Sequence, residues 1–345
     1  MTETWKIAIV GAASLRGKEL SDALSESPFS KANVTLLDED AEVGRIEASG
    51  DEATVIQRIE RDSFDHVDFA FFAGSPEITL KHWQEALTAG AGIIDISYAL
   101  EGKPGVIICA PWLREQSGAV PGDGVSLGTK AVIPAHAVSL ALALIMARLE
   151  ALGPVLSASA TVLEPASEYG SAAIDELHQQ TVSLLNFQRL PKEVYDEQMA
   201  FNVVPSFGDS KTIGQSEARI RRHYVLIRAS HANELAIQVV HVPVFHGVGL
   251  SIALELSEPV AQKDLESALA SEHIEIVPED VDPPNNLSSA GQASVLVRLR
   301  PQNTSAQPPK RFWIWASFDN LKLASLNAVA CAMELRRLRP KGKVQ

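Results

Sequence analysis

Two cysteines in 345 residues, Cys109 and Cys331, are too few and too far apart for a disulfide framework, and no CxxC pair is present to hold a metal or a redox couple. Both read as small buried hydrophobes. Positive charge is also scarce: 30 Lys and Arg stand against 43 Asp and Glu, a formal net charge of −13. The only basic groupings are Arg219-Ile220-Arg221-Arg222 and the segment Arg336 to Lys343, so neither nucleic acid nor an anionic membrane surface is an expected partner. Long apolar runs are missing. Ala137 to Ala147, broken by Ser139, falls short of the about 20 residues that cross a bilayer. Ile7 to Val10 is too short for the apolar core of a secretory leader and lacks a cationic flank and cleavage site, so a cytoplasmic protein is expected.

What is there has globular composition, 46% hydrophobic and 21% charged, and enough length for two domains of unequal size. The first hundred residues alternate apolar β-type runs (Ile7 to Val10, Val34 to Leu37, Phe69 to Phe72, Ile93 to Ile94) with helical patterns such as Gly17 to Leu24. That alternation predicts a Rossmann-like parallel sheet of the α/β class with right-handed crossovers. The strongest helix, Val138 to Leu149, follows Ile133-Pro134-Ala135-His136. From Gly153 onward, period-two strands (Val155 to Thr161, Tyr224 to Ile227, Ala236 to Val242, Ser251 to Leu256, Ala293 to Leu299) with one helix, Ser171 to Leu185, predict an α+β second domain. A last strand, Arg311 to Ala316, and a helix from Leu321 to about Leu338 close the chain. The expected division is 1–136 with 320–345 against 137–319.

Between the first strand and first helix lies Gly11-Ala12-Ala13-Ser14-Leu15-Arg16-Gly17, the place and spacing of a dinucleotide phosphate loop. Ser14 stands where the middle glycine of GxxGxxG belongs; its hydroxyl could contact phosphate itself. Asp38, about 20 residues on, suits a ribose diol and repels a 2′-phosphate, which favours NAD over NADP if either binds. The competing reading is a Rossmann-like domain that holds no dinucleotide.

Six segments in order resemble the aspartate-semialdehyde dehydrogenase family: the glycine loop, Phe71-Phe72-Ala73-Gly74, Gly90 to Ser97, Phe201-Asn202-Val203-Val204-Pro205, Val242-Pro243-Val244-Phe245 with Gly247, and Asp319-Asn320-Leu321 with Ala324 to Val329. The departures from the family pattern point to its Usg-type branch. The resemblance implies an NAD(P)-binding Rossmann domain, with Gly74 in its second turn, an α+β dimerisation domain, a homodimer, and reduction of an acyl phosphate through a cysteine thioester. It also aligns His136 with the catalytic cysteine, which family members place at a helix start where a thiol is activated. Imidazole forms no thioester. Val248 aligns with the acid/base histidine, with His246 two residues earlier as a weak substitute. His241 and Glu101 align with two anion-binding arginines, Glu164 with a glutamine, and Glu217-Ala218-Arg219 with a substrate-contacting segment. A carboxylate in place of a guanidinium inverts the charge offered to a phosphate.

The expected protein is therefore a family homologue that does not run the thioester reaction, with possible residual NAD(P) or small-molecule binding and no metal. His241 and His246, five residues apart, would point to opposite faces of a continuous strand and could not share an ion. Two alternatives stay open. One is an active oxidoreductase or hydrolase that uses His136 as base, with Glu164 and Glu101 facing the same cleft. The other is a regulatory subunit of an active paralogue.

Overall fold

The computed structural model describes residues 4–39, 41–49, 52–117, 125–206, 211–229, 235–302 and 308–338. The chain forms two compact units, one from Met1–Trp112, Pro121–Ala135 and Ala324–Gln345, the other from Leu113–Val120 and His136–Leu323.

The first unit is built on seven parallel strands. Its elements in chain order are β1 (Lys6–Val10), α1 (Leu15–Ser25), β2 (Asn33–Asp38), the antiparallel hairpin β3 (Ile46–Ser49) and β4 (Glu52–Val55), β5 (Gln57–Arg58), β6 (Phe69–Phe72), α2 (Pro76–Thr88), β7 (Gly92–Asp95), β8 (Val106–Cys109) and, beyond α3 (Pro111–Ser117), β9 (Ala131–Pro134). The sheet order is β5-β2-β1-β6-β7-β9-β8. Ile7 pairs with Val34 on one side and Phe69 on the other. The central runs are apolar without alternation because both faces of a parallel sheet are covered. Ile7 and Ile9 pack with Leu20 and Leu24 of α1 and with Ala328, Ala332 and Leu335 of the chain's last helix. Ala8 and Val10 face the opposite layer, with Ile78, Trp83 and Ala86 of α2. Both cysteines are buried in the first of these layers. The chain leaves β1 toward β2 on one side and has β6 on the other, so their carboxyl ends flank the switch point where doubly wound sheets hold ligands.

The second unit contains α4 (Ala137–Glu150), β10 (Val155–Glu164), α5 (Ser171–Leu185), β11 (Val204–Pro205), α6 (Lys211–Arg228), β12 (Leu235–His241), β13 (Val248–Leu256), α7 (Gln262–Leu269), β14 (Ile274–Ile276), β15 (Val295–Pro301), β16 (Arg311–Phe318) and the start of α8 (Asn320–Leu338). A mixed sheet runs β11-β12-β10-β13-β16-β15-β14. In β13, Val248, Leu250, Ile252, Leu254 and Leu256 alternate inward, the period of a sheet with one covered face. α4 is apolar around its whole circumference and buries every residue from Ala137 to Met146, as a central helix must.

The α/β and α+β classes are as the sequence predicts, but one strand is not. Tyr224 to Ile227 lies inside α6. Four β-type residues cannot by themselves distinguish strand from helix. The deciding signal is the wider stripe Ser216, Ile220, His223, Tyr224 and Ile227, which is buried at helical spacing. With α6 and α7 the stretch between Gly153 and Arg311 holds more helix than the single one expected there. No helix among the described residues is long and apolar enough to cross a membrane.

Candidate functional site

The phosphate-type loop of the first unit folds as a tight backbone turn. Gly11 takes a left-handed conformation (φ 82°), and a Cβ there would lie 2.2 Å from both the Cα and N of Gly74. A Cβ on Gly17 would sit 2.4 Å from the Gly11 carbonyl oxygen. Glycine is therefore required where β1, the turn after β6 and α1 converge. Ser14 caps α1: its Oγ accepts the Gly17 N–H at 2.9 Å and donates to the Ala73 carbonyl at 2.9 Å. The hydroxyl expected to be available to phosphate is thus already used within the fold. Asp38 is buried at the end of β2, where its two oxygens accept the N–H groups of Ala13 and Glu39, each at 2.9 Å. Glu101 follows β7 in this unit, close enough for its charge to act on Asp95. Burial raises the Asp95 carboxyl above its ordinary range, against hydrogen bonds from Ser97 and the Leu100 amide.

The second unit gathers a larger polar cluster from the first turn of α4, the end of β10 with the turn behind it, α6 and the end of β12. Glu164, 1% exposed, is its centre. Oε1 accepts the Ser216 hydroxyl, and Oε2 accepts the Tyr169 hydroxyl at 2.8 Å and lies 3.0 Å from His241 Nδ1. Burial, with the nearby Glu168 charge, pushes the Glu164 carboxyl up to about 8, although Ser216, Tyr169 and the Arg219 charge pull the other way. Burial pushes His241 down to about 4 against the charges of Glu168 and Glu217. Both shifts favour the uncharged forms. A protonated Glu164 donating to a neutral His241 from Oε2, while accepting from Tyr169 and Ser216, satisfies every contact. Tyr169 is itself held far above the ordinary phenol range by burial and by Glu164.

A second chain of hydrogen bonds starts at His136. Its ring caps α4, Nδ1 accepting the Val138 N–H at 3.3 Å while Nε2 lies 3.1 Å from Glu168 Oε1. The backbone N–H of His136 donates to His223 Nδ1 at 2.9 Å. Glu168 Oε2 accepts Asn320 Nδ2 at 3.1 Å, and Asn320 Oδ1 accepts the Ser167 hydroxyl at 3.1 Å. His246 stands between Ser167 (3.2 Å from Nδ1) and Asp319 (2.8 Å from Nε2). This looks like a nucleophile–base–acid relay, but the direction of the bonds excludes it. Glu168 can only accept from Asn320, which turns Asn320 Oδ1 toward Ser167 and makes the hydroxyl its donor. The Ser167 oxygen then accepts from His246, which carries both N–H groups. Burial alone would raise Asp319. The hydrogen bond from His246, the Lys322 and Gly291 amides and the imidazolium charge instead hold it below its ordinary value.

Comparison with known proteins decides the family. Residues 6–119 match the semialdehyde dehydrogenase NAD binding domain, and residues 147–323 match the semialdehyde dehydrogenase dimerisation domain. The chain is 30% identical over 336 residues to a USG-1 protein homolog of Pseudomonas aeruginosa, covering 95% of this chain and 97% of the relative. It belongs to the semialdehyde dehydrogenase family. It is also 25% identical to an aspartate-semialdehyde dehydrogenase of Rickettsia bellii, over 97% of this chain and 98% of that protein. Among solved structures, a probable aspartate-semialdehyde dehydrogenase from Pseudomonas aeruginosa superimposes with TM-score 0.80 at 27% identity, covering 99% of this chain and all of that one. Aspartate semialdehyde dehydrogenase II of Vibrio cholerae superimposes with TM-score 0.82 at 22% identity, over 97% and 99% of the two chains, a likeness of fold.

Against the family pattern, the structure brings Glu164 and His241 into contact and places Arg219 within electrostatic reach of Glu164. Glu217 pairs with Arg221 at 3.0 Å, and it ties α6 to β12 through the Val239 N–H, also at 3.0 Å. His246 does not share a face with Val248. Val248 opens β13 and points into the core, whereas His246 lies in the preceding turn with its side chain 31% exposed. The continuous strand assumed for His241 and His246 is absent, because β12 ends at His241 and Gly247 turns the chain (φ 85°). Each histidine has its own carboxylate, and no cluster among the described residues is suited to a metal ion. Sequence reasoning missed Glu168, Tyr169, Ser216, Ser167 and His223. The available signal was Glu168-Tyr169 a helical turn beyond Glu164, two large polar side chains where a strand end meets a glycine.

Proposed function

We propose that this member of the semialdehyde dehydrogenase family does not carry out the thioester reaction, and that it is a homodimeric protein whose first unit still binds a nicotinamide dinucleotide. The observation that supports this reading is the state of His136. The residue aligned with the nucleophile is 1% exposed, and both ring nitrogens serve hydrogen bonds within the second unit. Imidazole cannot form the thioester, and a ring fixed at both nitrogens is a poor base for a new substrate. The partners of the other aligned positions add to it, since burial favours the uncharged forms of Glu164 and His241, which face each other at 3.0 Å instead of offering charge to an anionic substrate.

The loop fits the phosphates of a dinucleotide through its close Gly11–Gly74 approach and its helix start. Asp38 stands where a ribose diol would be met and disfavours an added 2′-phosphate, which supports NAD over NADP. A bound nicotinamide would supply hydride chemistry; the chain's own residues would bind and orient it. The dimerisation domain matched by residues 147–323 supports assembly as a homodimer. An assay with aspartate semialdehyde, phosphate and NAD or NADP tests the inactive reading: no reduced cofactor should form, and turnover on the order of 1 s⁻¹ or more, ordinary for an enzyme, would overturn it.

A second reading is favoured by the setting of Glu164, a buried carboxyl that lies 3.0 Å from His241 Nδ1 and 2.8 Å from the Tyr169 hydroxyl and is pushed up to about 8 by burial. A buried acid at that value is suited to proton transfer. If the protein turns over any substrate with a pH profile set by one group near 8, and Glu164→Gln abolishes that activity, this reading replaces the first.

A further inference from the structure

The loop from Gly11 to Gly17 has few donors left to offer a phosphate. The amides of Gly11 and Ala12 donate to the Leu37 carbonyl, that of Ala13 to Asp38, that of Ser14 to Gly11, and that of Gly17 to the Ser14 hydroxyl. Five of the seven backbone N–H groups are thus used within the unit, and the Ser14 hydroxyl donates to Ala73. The strand ends beside the loop carry carboxylates, with Asp38 closing β2, Glu39 behind it, Asp95 closing β7 and Glu101 beyond. A pyrophosphate carrying two negative charges needs a cation there. The loop itself contains one cationic side chain, Arg16; Lys18, next along α1, pairs with Glu47 at 3.0 Å.

Arg16 leaves the first turn of α1 and carries its guanidinium toward the end of β7. There Nη1 is 3.5 Å from the Ile96 carbonyl oxygen, and the group lies over the Tyr98 ring, 5.3 Å from its centroid. Tyr98 is buried and holds a left-handed backbone (φ 64°), costly for a bulky residue and sustained by the turn that Asp95 ties to Ser97 and Leu100. The ring therefore forms a fixed platform for the guanidinium. Because β6 lies between β1 and β7, the side chain reaches across the carboxyl end of β6, beside the switch point.

We propose that Arg16, held by Tyr98, is the side chain that binds the phosphates of a nucleotide in the first unit and sets its affinity for the dinucleotide; this rests on the nucleotide-binding reading above. Loss of a charge-assisted, forked contact weakens binding by about 10- to 100-fold. The test is calorimetric titration of the full chain with NAD at several salt concentrations, for the unaltered protein, Arg16→Ala and Arg16→Lys, with thermal melts as a check on folding. The expected result is that Arg16→Ala weakens NAD by that factor and flattens the salt dependence. Arg16→Lys should fall between, keeping the salt dependence but losing the fork, and it carries the test should the alanine variant fail to fold. If the unaltered protein binds NAD and the variants bind it equally well, with equal salt dependence, the role of Arg16 is refuted and the nucleotide reading stands. If the unaltered protein binds no NAD, both fall.

Discussion

The phosphate-type loop of the first unit and the polar cluster of the second are built on opposite principles. The loop is defined by missing side chains. At Gly11 and Gly17 the backbone of one element lies where a Cβ would go, and the polar contacts are mainly backbone amides reaching carbonyls, one carboxylate and one hydroxyl. The cluster is defined by side chains that meet and hydrogen-bond each other, with Glu164, Tyr169, Ser216 and His241 arriving from separate segments. A site held by backbone geometry survives exchange of the side chains around it. A site made of side chains changes its chemistry with each replacement, and here the side chains close on one another.

One added carbon is the most severe change the loop can meet. In Gly11→Ala the new methyl would meet backbone atoms of Gly74 at 2.2 Å, and the left-handed φ of 82° adds strain. Nothing flexible can yield. A loss of about 3–5 kcal/mol is expected, from backbone strain and overpacking together, a large part of an ordinary domain's stability. A urea titration showing less than about 1 kcal/mol of loss would mean that the close approach is not what fixes this turn.

The cluster should respond to pH instead. Glu164 titrates near 8 in the folded protein against 4.5 for the free group, so the folded state holds an extra proton between those values and its contribution to stability falls as pH rises through them. His241 titrates near 4 against 6.5, so the unfolded state holds the extra proton between those values and stability rises with pH. The two effects oppose each other up to about pH 6.5. Above it only Glu164 acts, and stability should drop by up to about 2 kcal/mol between pH 6.5 and 8. Glu164→Gln mimics the protonated acid. It should be close to neutral at pH 6 and should remove the fall, as read by thermal melts across that range. A fall of equal size in the variant would assign the effect to another group.

The difference between the regions also explains what the sequence revealed. The loop was legible because glycine spacing after an apolar strand encodes backbone geometry directly, and Asp38 followed at the distance the fold dictates. The cluster was legible only in part. Glu164, His241 and His136 were reachable through their places in family segments, but their partners belong to turns and to α6, where short-range pattern says little about long-range contact. Ser216 lies 52 residues from the carboxylate it serves. Tyr224 to Ile227 was misread for the same reason: four residues show composition, whereas the helix is visible only over the stripe from Ser216 to Ile227. The contacts of Ser14 were not legible either, since no sequence pattern shows that a hydroxyl will be engaged on both sides.

The smallest expected effect falls on Ser14. If Ser14 acts as a cap and not as a phosphate ligand, Ser14→Ala should cost about 1 kcal/mol of stability by leaving the Gly17 N–H and the Ala73 carbonyl without their partner. Ser14→Gly should cost only a few tenths, because glycine is tolerated at a cap and lets water reach the same groups. NAD affinity in Ser14→Gly should be equal to or tighter than that of the unaltered protein, since the substitution removes a side chain from the loop and frees the Gly17 amide for phosphate. Weaker binding in the glycine variant, with its stability intact, would show that the hydroxyl touches the ligand after all. The loop would then resemble the second unit's cluster, with a side chain and not the backbone alone meeting the ligand.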